Sequence, residues 1–168
     1  MPTVILISGV PATWKSSYCR WLGQQKGFLH LDFDKLLRGQ GSIEKLSFVQ
    51  VLQTAGVEAF IATAQRNGNT VVIDWGFPPN NLPAVRELQA AGVEVWWFEG
   101  ERQIARQKFI ERGGVDPRCF DVQMDAIEAN WLEISRVFGP HAIETLHSDG
   151  TYTEPEEIFN RMFPPQKI

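Results

Sequence analysis

Cysteine is scarce in this 168-residue chain: there are two, Cys19 and Cys119, far apart and outside any CxxC pattern. That excludes a disulfide framework and offers no spacing for structural zinc, so both are expected as free thiols. Basic runs are missing as well. Sixteen Lys and Arg against twenty Asp and Glu leave a net charge of -4, so strong general affinity for nucleic acid or an anionic membrane is not expected. No apolar run approaches the roughly 20 residues that cross a bilayer. The first residues also carry neither the basic region nor the apolar stretch of a secretory signal. The expectation is a cytoplasmic protein without a membrane segment. The three histidines, His30, His141 and His147, fall at no metal-ligand spacing and are expected to be structural.

What is present is a hydrophobic content of 43%, with 11% aromatic residues, ample for the core of one domain over 1–168. Without repeats or low-complexity segments, apolar runs alternate with helix-like stretches along the whole length, which predicts a parallel sheet covered by helices. Strands are expected at Val4 to Ser8, Phe28 to Asp32, Thr70 to Asp74, Val93 to Phe98 and His141 to Leu146. Between them, 3.6-residue periodicity predicts helices from Lys15 to Gln25, Ile43 to Arg66 with a bend or split at Gly56, the Asn81 region to Ala91, and Glu101 to Arg112. Further helices are expected from Phe120 to Val137 and from Glu154 to Met162. With right-handed crossovers the result is an α/β three-layer sandwich on a five-stranded parallel sheet.

The segment Gly9-Val10-Pro11-Ala12-Thr13-Trp14-Lys15-Ser16 sits between the first strand and the first helix, the context of a phosphate-binding (Walker A) loop. Such a loop aims backbone N–H groups and a helix N-terminus at phosphate oxygens. Gly9 permits the turn, Lys15 would reach the terminal phosphates of a nucleotide, and the Ser16 hydroxyl would ligate Mg2+, with Ser17 the weaker candidate. Ala12 and Thr13 fit the loop. Trp14 stands where glycine is usual, at an expected backbone cost of about 1–2 kcal/mol.

Carboxylates follow at strand ends, where ligands bind in open α/β sheets. Asp32 and Asp34 can project to one side of an extended segment: one would hold Mg2+ and the other would orient or deprotonate an acceptor hydroxyl. The bland alternative is that Asp34 caps the next helix. Asp74 ends the third strand, the place of a carboxylate that holds Mg2+ or its water shell; pairing with loop backbone is the alternative. Trp75, Phe77 and the two prolines after it would wall an acceptor pocket or pack as core, and Trp96 and Trp97 read as packing. Arg102, Arg106, Arg112 and Arg118 cluster in and after the helix that follows the fourth strand, which suits an arginine-bearing lid at about 112–121, hinged at Gly113-Gly114, with Arg118 a lid candidate. Arg106 and Arg112 are the main candidates, against the plain reading of a solvated helix face.

Taken together, Ser8 to Ser17, His30-Leu31-Asp32-Phe33-Asp34, Val71-Val72-Ile73-Asp74 and the run from Phe98 to Arg112 resemble the small P-loop kinases. That group includes shikimate kinase, gluconate kinase, chloramphenicol phosphotransferase and the kinase domain of polynucleotide kinase. The resemblance covers nearly the whole chain. It implies sheet order 2-3-1-4-5, ATP with Mg2+, and a small-molecule hydroxyl acceptor. It also implies Asp32 near magnesium, Asp34 near the acceptor, Arg106 stacked on adenine, Arg112 in the lid, and the loop Ser148-Asp149-Gly150-Thr151 over the base. Asp74-Trp75-Gly76 departs from the glycine triplet of shikimate kinases, and their substrate arginines have no counterpart. Two rivals remain: a non-catalytic nucleotide- or phosphate-binding protein, and a polynucleotide 5′-hydroxyl kinase, which the acidic balance disfavours.

Overall fold

Five apolar runs pair into one parallel sheet of order β2-β3-β1-β4-β5 in the computed structural model, which describes residues 3–76 and 79–165. The strands are β1 (Val4–Gly9), β2 (Leu29–Asp32), β3 (Val71–Asp74), β4 (Glu94–Gly100) and β5 (Ala142–Leu146). Central β1 is buried along its whole length, and β3 is a buried Val-Val-Ile-Asp run. β-Branched residues suit a strand covered on both faces, where water competes for neither side.

Side-chain alternation sorts the core into two clusters, one per face of the sheet. Val4 and Leu6 of β1 join Val71, Ile73, Val95 and Trp97 on one face, under α3 (Ile43–Arg66), α4 (Leu82–Ala90), α6 (Pro117–Ala129) and α7 (Trp131–Phe138). Ile5 and Ile7 join Val72, Trp96 and Phe98 on the other, under α1 (Lys15–Lys26) and α8 (Pro155–Met162). Trp96 also stacks on His141, whose Nδ1 lies 3.1 Å from the Val95 carbonyl. This is the expected three-layer sandwich, and truncating a central side chain such as Leu6 to Ala would cost about 2–5 kcal/mol.

Helix ends follow local chemistry. Gly27 closes α1 by donating its N–H to the Leu22 carbonyl. Pro117 opens α6 behind Asp116, whose carboxylate accepts from the Arg118 N–H. Where the periodicity predicts one helix from Phe120 to Val137, there are two. Asn130 interrupts them, its side-chain amide donating to the Ala126 carbonyl and its backbone leaving the helical region (φ -110, ψ 13). A short α2 (Phe33–Leu36) follows β2 directly, α5 (Arg102–Arg112) follows β4, and Gly113 and Gly114 join α5 to α6.

The predicted α3 is found from Ile43 to Arg66, kinked at Gly56 (φ 83, ψ -179). By length and composition it is apolar enough to cross a membrane, contrary to the reading of the sequence, where scattered polar residues masked its average. In this fold it lays Phe48, Val49, Val57, Phe60 and Ala64 into the core.

Candidate active site

β1 runs into the loop through Gly9, where a side chain has no room: a Cβ there would stand 2.2 Å from the Phe98 carbonyl oxygen of β4. The loop is then braced from several directions. Val10 N–H donates to Phe98 O at 3.0 Å, and Thr13 Oγ1 donates to Val10 O at 2.7 Å. Thr145 Oγ1 donates to Thr13 O at 2.8 Å, and the Tyr152 hydroxyl donates to Ala12 O at 2.9 Å. Ala12 (φ 62) and Trp14 (φ 73) are the two non-glycine residues with positive φ among the described residues. Positive-φ residues alternating with ordinary ones are the backbone pattern of the concave N–H nests that suit anions.

Trp14 therefore takes the left-handed conformation that glycine would adopt at no steric cost, with ψ at 15°. Its indole turns onto Tyr152, ring centroids 5.5 Å apart and 23° between planes. Such a stack contributes about 0.5–1.5 kcal/mol, which offsets much of the backbone strain.

Lys15 is buried at the foot of the loop, its Nζ donating to Val10 O at 2.7 Å and to Gly9 O at 3.4 Å. Burial lowers its pKa to about 8, a fall that the carboxylates of Asp74 and Asp34 partly oppose. A cavity of about 360 Å³ opens beside it, lined by Lys15, Ser16, Asp34, Asp74, Gly76 and Arg112 among others. Asp34 is held there by the Gly76 N–H at 2.9 Å, and burial raises its pKa, with that hydrogen bond opposing. Asp74 is buried at the end of β3, its Oδ2 3.3 Å from His30 Nε2. A second cavity, about 250 Å³, adjoins the loop as well and is lined by Trp14, Lys15, Ser16, Lys108, Arg112 and Tyr152, with Ala12 and Ser17.

No protein-family model matches the chain, and no curated protein matches it in sequence. Solved structures do match in shape. The shikimate kinase of Acinetobacter baumannii, in complex with shikimate, superposes with a TM-score of 0.58 over 100% of this chain and 96% of its own, at 15% identity. The chain has the fold of the small P-loop kinases. A gluconokinase from Sinorhizobium meliloti 1021 matches at TM-score 0.54 and 15% identity over 94% of this chain and 87% of its own. The tunicamycin resistance protein of Deinococcus radiodurans matches at 0.54 and 12% over 96% of each chain.

The P-loop kinase fold makes the departures in the site readable. Asp32, read from the sequence as a magnesium ligand, is the N-cap of α2: its Oδ1 accepts from the Lys35 N–H at 3.1 Å and its Oδ2 pairs with Lys35 Nζ at 3.3 Å. The capping role weighed for Asp34 thus falls two residues earlier, because α2 begins at Phe33, and Asp34 is left to face the cavity. Among the arginines, Arg102 pairs with Asp125 and Glu128, Arg106 holds Asp121 with two hydrogen bonds, and Arg118 holds Asp116. Arg106 lines neither cavity beside the loop. Arg112 makes no ion pair among the described residues; its guanidinium lies over the Phe109 ring, 5.0 Å from the centroid, and borders both cavities. Trp75 packs on Phe33 in the core instead of walling a pocket. Phe77 and Pro78 lie outside the described residues, while Pro79 borders an apolar groove on α6.

Three residues at the site escaped the sequence reading. Tyr152 follows directly on the Ser148-to-Thr151 loop. Lys108, one helical turn before Arg112, faces the same cavity; that i, i+4 spacing was a usable signal. Gly76 reaches Asp34 across 42 positions, and nothing local announces it.

Proposed function

We propose that the chain is a phosphotransferase that moves the γ-phosphoryl group of ATP to a hydroxyl of a small metabolite or nucleoside-like acceptor. What carries the reading is the convergence of Lys15, Ser16, Asp34, Asp74 and Arg112 on one cavity beside the anion-binding loop. The donor set fits the groups such chemistry needs. A hydroxyl and carboxylates are hard oxygen ligands suited to Mg2+, and an ammonium, a guanidinium and a concave run of N–H groups suit phosphate. Ser16 and Asp74 would hold the metal, whose charge would neutralise that of the phosphate oxygens.

The remaining work falls to the chain itself. Lys15 would exchange its carbonyl partners for phosphate oxygens, and Arg112, which pairs with no carboxylate among the described residues, would add positive charge at the transferring group. Asp34 would orient the acceptor hydroxyl and take its proton; burial raises its pKa, which makes it a stronger base than an exposed carboxylate. The acceptor body would extend past Gln123, which lines both this cavity and the apolar groove on α6 where Val122 and Ala126 lie. Positioning and charge stabilisation would supply most of the acceleration.

A non-catalytic nucleotide binder is the second reading, favoured by the strained Trp14 in the loop. Titration of Mg·ATP followed by tryptophan fluorescence tests the first step, since Trp14 reports on loop occupancy. A saturable change at micromolar to millimolar ATP is expected; its absence rules out both readings, and binding without transfer to any acceptor leaves the second.

A further inference from the structure

Behind the loop, on the side of α1, three side chains from three elements meet: Cys19 of α1, His30 of β2 and Asp74 of β3. One ligand atom from each lies within 4.8 Å of the other two. Cys19 is fully buried and Asp74 nearly so, while His30 is only partly covered. The pair His30 Nε2 and Asp74 Oδ2 is already 3.3 Å apart. That equals the separation of about 3.3 Å that two ligands 2.0 Å from a tetrahedral ion would have, and a thiolate at 2.3 Å would need about 3.5 Å to each. From separations of up to 4.8 Å the sulfur must close by at most about 1.3 Å on either partner, within the reach of a side-chain adjustment.

We propose that Cys19, His30 and Asp74 form a binding site for Zn2+. Thiolate, imidazole and carboxylate are zinc's ligand types, and three protein ligands with an open fourth position are a common zinc arrangement. The thiolate makes the site selective, because Mg2+ prefers oxygen ligands. On binding, Cys19 Sγ loses its proton to solvent and forms the metal–sulfur bond. His30 ligates through the Nε2 lone pair with its proton on Nδ1, and Asp74 ligates as a carboxylate, so one proton is released per zinc. A cavity of about 550 Å³, bordered by Ser16, Arg20, His30 and Asp32, leaves the His30 ligand open to one side, while Cys19 and Asp74 are buried behind it. Sequence spacing hid the site because its ligands stand at positions 19, 30 and 74, brought together only by the β2–β3 pairing and the packing of α1 on both strands.

The test uses the whole chain without nucleotide, so its outcome is independent of phosphoryl transfer. Co2+ is titrated as a spectroscopic stand-in for Zn2+ on a Cys119→Ser background, which leaves Cys19 as the sole thiol. One equivalent should produce thiolate-to-cobalt charge-transfer absorption with tetrahedral visible bands, displaced by one equivalent of Zn2+. Cys19→Ala and His30→Ala should each weaken Zn2+, measured by competition with a chromophoric chelator, by more than the ~10–100-fold that loss of an outer partner costs. Absence of the charge-transfer band overturns the proposal without reference to any site variant. Unchanged Zn2+ affinity in folded Cys19→Ala overturns it equally.

Discussion

Replacing Trp14 tests the physics of the loop most directly, because one position combines backbone strain with a compensating contact. At φ 73 and ψ 15 a residue with a Cβ is disfavoured by about 1–2 kcal/mol relative to glycine. The stack on Tyr152 contributes about 0.5–1.5 kcal/mol in return. Trp14→Ala loses the stack and keeps the strain, whereas Trp14→Gly loses the stack and relieves it. Glycine's extra unfolded-state entropy takes back about 0.4–1 kcal/mol, so Gly should be more stable than Ala by about 0.5–1 kcal/mol. In an ordinary helix the order is reversed. For a chain of this size the difference corresponds to about 1–4 °C in Tm. Urea unfolding of the two variants side by side measures it, and the stack, absent from both, cancels. If Ala equals or exceeds Gly, the left-handed conformation carries no cost and the strain argument fails. The same pair reports on function: Trp14→Gly is expected to tighten ATP binding, and unchanged affinity means that the loop accommodates tryptophan as built.

The remaining predictions concern the two groups at the bottom of the cavity. Asp34→Asn keeps an acceptor for the Gly76 N–H but loses the base, so phosphoryl transfer should drop by about 10²–10⁴ while ATP affinity, followed by fluorescence, stays within about twofold. Retained turnover removes Asp34 from its role. For Lys15 the sign follows from a folded pKa of about 8 below the ordinary 10.5: the buried charge is destabilising below pH 8, and that penalty is relieved as pH rises toward 10.5. Lys15→Met should therefore gain on the unmutated chain by as much as about 3 kcal/mol at neutral pH, at roughly 1.4 kcal/mol per pKa unit. The gain should shrink through the same window, as read from urea unfolding at a series of pH values. A pH-independent difference shows that the lysine is not desolvated as described. ATP affinity should also fall above pH 8 by up to about tenfold per unit, since binding must then take up a proton.

Much of the arrangement was legible in the chain because it rests on local patterns. Val4-Ile5-Leu6-Ile7 followed by Gly9 to Ser16 and a periodic helix specify a strand, a tight loop and a helix within two dozen residues, and the structure contains that strand–loop–helix unit. Alternating apolar runs and helical periodicity were enough for the sheet and, with the family resemblance, its order. Where two short-range tendencies competed, the reading slipped by a residue or two. Capping was weighed for Asp34, but α2 begins at Phe33, so the cap falls on Asp32. Asn130 could continue a helix or break it by binding a carbonyl of the preceding turn, and it breaks it.

The sequence by itself therefore determined the fold, the position of the loop and the carboxylates at the strand ends, because each depends on neighbours along the chain. Tertiary structure alone decided which of these groups face one another. The Asp34–Gly76 hydrogen bond, the Trp14–Tyr152 stack and the approach of Asp74 to Cys19 and His30 join positions more than 40 residues apart. Strand pairing and helix docking create such contacts, and no local pattern encodes them. Ion pairing likewise decided the arginines: four looked alike along the chain, and the carboxylates of α6 and of the loop before it engage three, leaving Arg112 at the cavity.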